Sequence, residues 1–385
     1  MPDNKTKKNL LILAIITIGS TLLIWLPFIL DLKSFWNLIY PGGGVATLWR
    51  NFDGLNYIAV AKSFYNPLTL QENFSSLGLA PIYFASHFPL YPMFIALASP
   101  VFGFLNGMLI VTTTFSVLSV WIFYLLVKDF KLTEDPLWLS LIFLALPARW
   151  VIVRSVGSNE PLFIFLVLAT FYLTRKSKYF LAGIVASLAV WTRSPAVILV
   201  AALGFSVFGP WLLALVKNHK VKFPTYALPL IAFPIAAALG LFYLYFVQFG
   251  DFFAYFHSGD NIHLTLPPFP VFNKEQYWVG TFWLENIIYV YLFLAAGAIV
   301  LWQKKLYDLA IFVGLFFIAS SFIAHLDIGR YILPAFPFVL IAFEKFLVSR
   351  EFKIAFIILL IPIYLFTQNF LIGNISPITD FTPFR

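Results

Sequence analysis

The chain has 385 residues, of which 61% are hydrophobic and only 11% are charged. Soluble domains carry roughly 25% charged residues, so this composition excludes an ordinary soluble protein and predicts an all-α polytopic membrane protein. The chain contains no cysteine, which excludes disulfides, thiolate nucleophiles and cysteine metal sites.

The first apolar run covers residues 10–30 and follows three lysines, as the apolar core of a signal peptide would. Its length of about twenty residues suits a full bilayer crossing, and it lacks a small-residue cleavage pattern. We therefore expect a retained transmembrane helix.

Ten further runs are long enough to cross the bilayer, and they cover residues 106–127, 136–153, 156–174, 179–195, 196–216, 224–248, 281–302, 306–325, 331–347 and 353–372. The sequence thus predicts one integral membrane domain over residues 1–385, with about eleven transmembrane helices. The pair of runs at 136–174 and the pair at 179–216 could each be re-entrant instead, and either change would remove two crossings and leave the orientation intact.

The positive charges predict the orientation of these helices. With the N-terminus in the cytoplasm, sixteen of the 25 Lys and Arg residues lie at cytoplasmic ends and nine lie on the other side. Every cluster of lysines falls inside, as the positive-inside rule requires. The same placement accounts for the net charge of +8 without a nucleic acid partner. We expect a protein of the cytoplasmic (inner) membrane whose N-terminus is cytoplasmic.

The stretch 91–104 is apolar enough to cross the membrane, but two prolines and Gly103 interrupt it. If it crossed, every later lysine cluster would move to the outer side. We therefore expect a helix that lies on the outer surface or dips into it, at the end of the first long loop.

Two outer loops are long, and they cover residues 31–104 and 249–280. The first mixes charged and aromatic residues, and a loop of this length usually has a function. An ordered cap over the helix bundle is the alternative. The loop histidines suit hydrogen-bonded structural roles better than metal ligation; with acids nearby a metal site is conceivable, but the spacing is not diagnostic. These residues are His87, Asp251, His257, Asp260 and His263.

Ionisable side chains gather at the outer ends of the predicted helices. They are Asp53, Glu160, Arg193, Asp327 and Arg330. Such groups are costly at membrane depth and indicate a functional site. A carboxylate can act there as a general base on a hydroxyl group, and the forked donors of arginine match a phosphate. Arg149 and Arg154 suit either lipid headgroups or the donor substrate, and neighbouring aromatics suit either sugar stacking or the interfacial belt.

Several short motifs, in chain order, resemble those of the PIG-V type mannosyltransferases, a family of the GT-C superfamily. The first loop carries Phe52-Asp53, Tyr57-Ile58-Ala59 and His87-Phe88-Pro89-Leu90-Tyr91-Pro92. The later motifs are Gly157-Ser158-Asn159-Glu160-Pro161-Leu162-Phe163, Thr192-Arg193-Ser194-Pro195 and Arg330-Tyr331-Ile332-Leu333-Pro334. Two positions depart from the family pattern, since His87 replaces a phenylalanine and Pro195-Ala196 replaces Asn-Gly. The resemblance therefore implies no particular acceptor.

The resemblance implies a GT-C-like architecture and transfer of a monosaccharide, mannose in the first instance, from a polyprenyl phosphate to an acceptor hydroxyl on the outer face. It implies Asp53 as the catalytic base, and Glu160 as a second carboxylate near the acceptor or a divalent metal. Arg193 and Arg330 would lie near the donor phosphate. The candidate substrate-binding residues are Arg50, Tyr57, His87, Glu160, Arg193, Arg330 and Tyr331. The expected partners are the lipid-linked donor, a glycan, lipid or protein acceptor, and membrane lipids; no other cofactor is expected.

The chemistry agrees with this assignment, because a lipid phosphate leaves readily and the reaction then needs one base and cations around the phosphate. One base and in-line attack predict inversion at the anomeric carbon. The sequence contains no Walker or dinucleotide-binding motif. A transporter or flippase of lipid-linked sugars is the main alternative, and it would place ionisable residues near the bilayer midplane. A non-catalytic assembly subunit would tolerate Asp53→Asn.

Overall fold

The computed structural model describes residues 3–217, 220–259, 264–281 and 283–385. These ranges are largely helical, with one small antiparallel hairpin of β1 (Ser34–Phe35) and β2 (Leu38–Ile39). The first ten α-helices are α1 (Asn4–Ile29), α2 (Ala46–Trp49), α3 (Gly54–Ser63), α4 (Pro67–Asn73), α5 (Leu90–Asp129), α6 (Pro136–Ala145), α7 (Ala148–Val153), α8 (Glu160–Arg175), α9 (Tyr179–Val190) and α10 (Ala196–Val216). They are followed by α11 (Pro229–Phe249), α12 (Ala254–His257), α13 (Trp283–Gln303), α14 (Tyr307–Ser321), α15 (Ile328–Tyr331), α16 (Phe336–Ala342), α17 (Glu344–Leu347) and α18 (Arg350–Gly373). Single 3₁₀ turns cover Ser75–Leu77, Pro81–Ser86, Thr225–Ala227, Pro270–Phe272 and Thr382–Phe384.

Six helices in the described ranges are long and apolar enough to cross a membrane. They are Asn4–Ile29, Leu90–Asp129, Ala196–Val216, Thr225–Phe249, Leu284–Gln303 and Arg350–Gly373. Large apolar side chains on their outer surfaces are exposed, among them Val197, Leu213 and Ile358. Helices that satisfy their own backbone and expose apolar side chains are suited to lipid. The chain is therefore an all-α integral membrane protein, as predicted, while the number of eleven spans stays a prediction.

The predicted span over 136–153 is not one helix. It divides into α6 and α7, because Pro147 supplies no backbone N–H and disfavours a helical conformation at Leu146. Leu146 is extended, with φ −120° and ψ 139°. The break leaves carbonyls at the end of α6, and Nε of Arg154 donates to the Leu144 carbonyl at 3.1 Å. The prediction of a continuous helix here is wrong.

The predicted span over 331–347 is also wrong as a single helix, since it divides into α15, α16 and α17. Pro334 lies between α15 and α16, where it cannot donate to the helical hydrogen-bond ladder. As a result Arg330 lies on the short helix α15, separate from the apolar helix that follows.

Gly103 divides α5 into two helices, because its backbone adopts φ +70° and ψ 165°. The first of these helices folds back along the second. The rings of Phe94 and Phe115 are 4.9 Å apart, and a Cβ added to Gly107 would lie 3.5 Å from Cβ of Ala98. The separate helix predicted over 91–104 is confirmed, and its position relative to the membrane stays a prediction.

Ion pairs join the helix ends that were predicted to be cytoplasmic. Their partners are Lys128–Asp3 (3.6 Å), Lys176–Asp129 (2.9 Å), Arg175–Asp308 (2.6 Å), Lys304–Glu344 (3.1 Å) and Lys353–Asp135 (2.9 Å). Each pair links two ends that sequence analysis assigned to the same side. The structure therefore groups these helix ends as expected, and which group faces the cytoplasm stays a prediction.

The segment 374–385 packs onto the first long loop, a contact that the sequence analysis did not predict. Ile375 forms an antiparallel bridge with Asn51, and the backbone N–H of Ser376 donates to the Arg50 carbonyl at 2.9 Å. The segment thereby fixes the part of the loop that precedes Asp53.

Candidate functional site

The first long loop is ordered around helix α3, and Asp53 lies immediately before that helix. Tyr57 and Ile58, on the first turns of α3, are buried in the core. Phe52 has φ +48°, a left-handed conformation that is uncommon for a non-glycine residue and that clusters at functional sites. The Asp53 side chain forms no hydrogen bond to the amides of α3, and 34% of it is exposed. Helix capping therefore does not determine the orientation of the Asp53 side chain.

Four of the predicted site residues form one chain of charges. Oδ2 of Asp53 lies 3.3 Å from Nη2 of Arg330, whose Nε donates to Oε1 of Glu160 at 2.5 Å. Nη1 of Arg193 pairs with the same oxygen of Glu160. Asp53 and Arg330 are 277 positions apart in the sequence, and the fold brings together residues from four distant motifs.

Glu160 is the buried centre of this chain, with 1% of its side chain exposed. It is the first residue of α8, and the Ser158 hydroxyl donates to its Oε2. Nη1 of Arg193 also donates to Oδ1 of Asn159 at 2.9 Å. Glu160 thus binds two arginines and a hydroxyl rather than facing open space. This geometry suits a residue that positions Arg193 and Arg330.

A second set of contacts stacks two arginines on two phenylalanines. The Arg330 guanidinium lies 4.4 Å from the ring centroid of Phe52, and that of Arg149 lies 4.2 Å from the centroid of Phe370. The two rings are stacked on each other at 5.5 Å with an interplanar angle of 22°. Such cation–π contacts stabilise a guanidinium at a defined place. Phe52 and Phe370 were not among the predicted site residues, whereas Arg149 was expected to contact either lipid headgroups or the donor.

These residues border a cavity of about 860 Å³. Its lining comprises Arg50, Phe52, Asp53, Arg149, Tyr277, Asn286, Ile287, Val290, His325, Leu326, Asp327, Gly329, Arg330, Phe366, Asn369, Phe370, Asn374, Ile375 and Ser376. A volume in this range accommodates a small-molecule substrate. Of the residues singled out in the sequence, Arg50, Asp53, Arg149, Asp327 and Arg330 contribute to this lining, whereas Tyr57, His87, Glu160, Arg193 and Tyr331 do not. Nη2 of Arg149 lies 2.8 Å from Oδ1 of Asp327. Burial raises the pKa of Asp327, and the positive charge of Arg149 offsets only part of this rise.

Tyr57 and His87 belong to a buried aromatic layer beneath the loop. The Tyr57 ring lies 5.1 Å from the His87 ring and 5.0 Å from the Tyr91 ring. Burial raises the pKa of Tyr57 well above its usual value. His87 is 2% exposed, and its ring nitrogens lie 2.9 Å from Oγ of Ser86 and 3.3 Å from Nδ2 of Asn56. Neither Tyr57 nor His87 lines the cavity, so a substrate that contacts them would have to bind outside it.

Tyr331 packs against His325, with ring centroids 5.2 Å apart, and does not belong to the cavity lining. Arg154 is buried between helices, where it donates to Thr21 at 2.8 Å and to Ser20 at 3.0 Å. This position suits a structural role for Arg154. Arg149, by contrast, lies in the cavity wall.

No group of three or more acidic or histidine side chains suited to a metal occurs within the described ranges. Nδ1 of His257 lies 2.6 Å from Oδ2 of Asp251, and this hydrogen bond lowers the pKa of Asp251. Asp260 and His263, which the sequence analysis also named, lie outside the described residues.

The amides Asn286, Asn369 and Asn374 complete the polar lining and were also missed. Asn369 and Asn374 lie at the end of the apolar helix α18, and amides at such a position are a sequence signal that could have indicated them. The resulting site combines a partly exposed carboxylate, several guanidinium groups and amides around one cavity. No known protein-family model matches the chain, and no curated protein sequence matches it significantly.

Proposed function

We propose that this protein is a membrane glycosyltransferase that moves a monosaccharide from a polyprenyl phosphate to an acceptor hydroxyl, with Asp53 as the base. The observation that carries the proposal is the position of Asp53, a partly exposed carboxylate on the wall of the 860 Å³ cavity, held 3.3 Å from Arg330. A carboxylate so placed can accept a proton from a hydroxyl group bound in the cavity.

The proposed reaction is a single displacement. The acceptor oxygen forms a bond to the anomeric carbon while the bond from that carbon to the phosphate oxygen breaks. Asp53 takes the hydroxyl proton, and the lipid phosphate leaves with the bonding electron pair. Attack opposite to the leaving group inverts the anomeric carbon. Cationic groups near the phosphate would stabilise the charge that develops there.

The convergence of separate motifs supports this proposal. Asp53, Glu160, Arg193 and Arg330 come from four sequence motifs that resemble those of the PIG-V type transferases, and they form one chain of ion pairs. On the same basis we propose a GT-C-like arrangement of about eleven spans and mannose as the transferred sugar.

The distribution of lysines supports a site on the outer face of the cytoplasmic membrane. All lysine clusters are at the ends of the helices that do not carry Asp53 and Arg330. The positive-inside rule then assigns those ends to the cytoplasm. A lipid-linked donor would reach the cavity from the outer leaflet.

Incorporation of labelled sugar from polyprenyl-phosphate donors tests the proposal directly. Membranes would contain the wild type, Asp53→Asn or the matched control Glu72→Gln, which changes an exposed carboxylate of the same loop. We expect transfer by the wild type and the control, and a loss of at least roughly a hundredfold in Asp53→Asn. Near-normal turnover in Asp53→Asn would exclude it as the base. Movement of the lipid-linked sugar across vesicles without transfer would instead indicate a flippase.

A further inference from the structure

Two arginines of the cavity wall retain hydrogen-bond donors that the protein does not use. Nε of Arg50 and Nη1 of Arg149 are shielded from solvent and have no hydrogen-bond partner. Nδ2 of Asn374, on the same cavity lining, is in the same condition. Buried donors without a partner are rare in folded proteins, and each one needs an explanation. All three donors belong to side chains that line one cavity, where an acceptor group would satisfy them once the side chains rotate.

Arg193 and Arg330 differ from this pair because their charges are already compensated. Both bind the buried carboxylate of Glu160, and Arg330 also contacts Asp53. Arg50, in contrast, makes one long hydrogen bond of 3.5 Å, to the Ile378 carbonyl. An anion that enters the cavity would therefore meet less competition at Arg50 than at Arg330.

The charges around the cavity favour an anion. The cavity lining holds three arginines, Arg50, Arg149 and Arg330, and two carboxylates, Asp53 and Asp327. One positive charge is therefore in excess when all these groups are ionised. Arg149 shares its charge with Asp327 through one side of its fork and leaves Nη1 unpaired.

We propose that Arg50, Arg149 and Asn374 form a subsite for a phosphate-type oxyanion. Arginine forks and amide donors are the groups that recognise tetrahedral oxyanions. The inference builds on the proposed function by identifying this anion as the phosphate of a substrate. The site is partly preorganised, because Phe370 supports Arg149 and Ser376 holds the backbone of Arg50. Binding requires each guanidinium to rotate so that its unpaired donors face the cavity.

Phosphate binding can be measured without sugar transfer. The purified protein in detergent would be titrated with inorganic phosphate, and with chloride at equal ionic strength, and its thermal stability followed. We expect phosphate to stabilise the wild type more than chloride does. Arg50→Gln and Arg149→Lys should each weaken the apparent phosphate affinity roughly tenfold or more, since each loses a charge-assisted hydrogen bond. Arg149→Lys keeps a positive charge beside Asp327, so a loss of phosphate affinity in this variant does not arise from an unpaired Asp327 carboxylate.

The control is Arg350→Gln, which removes the same charge from an exposed site at the opposite end of α18. Equal phosphate affinity in this control and in Arg50→Gln would overturn the proposal, as would a wild type that does not distinguish phosphate from chloride. A short-chain prenyl phosphate that competes with phosphate identifies the source as the lipid donor. Phosphate binding without such competition identifies a phosphate on the acceptor or free in solution.

The two proposals can fail separately. Asp53→Asn should retain phosphate binding while transfer is lost. A wild type that binds phosphate through Arg50 and Arg149 but transfers no sugar would support the subsite and contradict the transferase. If the wild type transfers sugar while Arg50→Gln and Arg149→Lys bind phosphate as tightly as the wild type, the transferase is supported and the subsite is contradicted.

Discussion

The carboxylate of Asp53 lies 3.3 Å from Nη2 of Arg330, although the amides at the start of α3 are within its own segment. An aspartate immediately before a helix commonly accepts hydrogen bonds from those amides and stabilises the helix. Asp53 forms no such bond, so its orientation depends on a residue 277 positions away. The protein thereby keeps a carboxylate available to the cavity at the cost of a local stabilising contact.

The first prediction is that Asp53→Asn barely changes stability. The side chain caps no helix, is 34% exposed, and contributes one ion pair of 3.3 Å, so its loss should cost roughly 1 kcal/mol or less. Thermal unfolding of the purified variant measures this change. A large drop in stability would indicate a structural aspartate, particularly if the surviving protein kept its specific activity.

Glu160→Gln should behave in the opposite way. Its carboxylate is buried and compensates two arginines, and removing one partner of a buried charge network typically costs about 3–5 kcal/mol. We expect a lower yield and a clear loss of thermal stability in this variant. Stability equal to that of the wild type would mean that water or another group compensates Arg193 and Arg330.

Several residues of the candidate site could be predicted because they are charged while the sequence around them is apolar. Asp53, Glu160 and Arg330 are charged residues at the ends of apolar segments, where a charge is costly. The contacts between them are long-range, since Glu160 and Arg330 are 170 positions apart, and no local pattern encodes such a pairing. Only the shared side of the membrane could be inferred from the lysines.

The missed parts lack a signal of this kind. Phe52 and Phe370 are two of 46 phenylalanines, so nothing in the sequence marks them as supports for arginines. Helix breaks at Pro147 and Pro334 were hidden because hydropathy averaged over about twenty residues does not detect one missing N–H. The packing of residues 374–385 onto the first loop depends on backbone bonds, which any residue type can form.

The two groups of helix ends should label from opposite sides of the membrane. Ser76 and Ser177 are exposed, and each can be replaced by the single cysteine of an otherwise cysteine-free chain. A membrane-impermeant maleimide should modify Ser76→Cys in intact cells, and Ser177→Cys only after the membrane is opened. The reverse labelling pattern would invert the proposed topology.

Met108 separates the two backbone segments that carry the carboxylates. A Cβ added to Gly157 would lie within 3 Å of three Met108 side-chain atoms, and one added to Gly54 would lie 3.0 Å from its sulfur. Gly157→Ala should therefore destabilise the protein by about 1–3 kcal/mol through overpacking. Thermal unfolding of Gly157→Ala, Met108→Ala and the double variant measures the coupling. We expect the double variant to recover part of the loss, and additive losses would contradict this packing role.

The last prediction concerns the fork of Arg330, which contacts two carboxylates through different nitrogens. Nε binds Glu160 at 2.5 Å and Nη2 lies 3.3 Å from Asp53. A lysine keeps the charge, but it has one nitrogen and cannot reproduce both contacts in this geometry. Arg330→Lys should thus leave Asp53 poorly oriented and lower kcat by roughly tenfold or more, with little change in the donor KM.

Steady-state transfer kinetics, with labelled donor and saturating acceptor, separate these two parameters. Arg350→Lys is the matched control, because it makes the same replacement at an exposed position far from the cavity. A raised donor KM with an unchanged kcat would assign Arg330 to the donor phosphate itself, as the family resemblance implies. A fall in kcat alone would identify Arg330 as the residue that positions Asp53, and would leave the phosphate to Arg50 and Arg149.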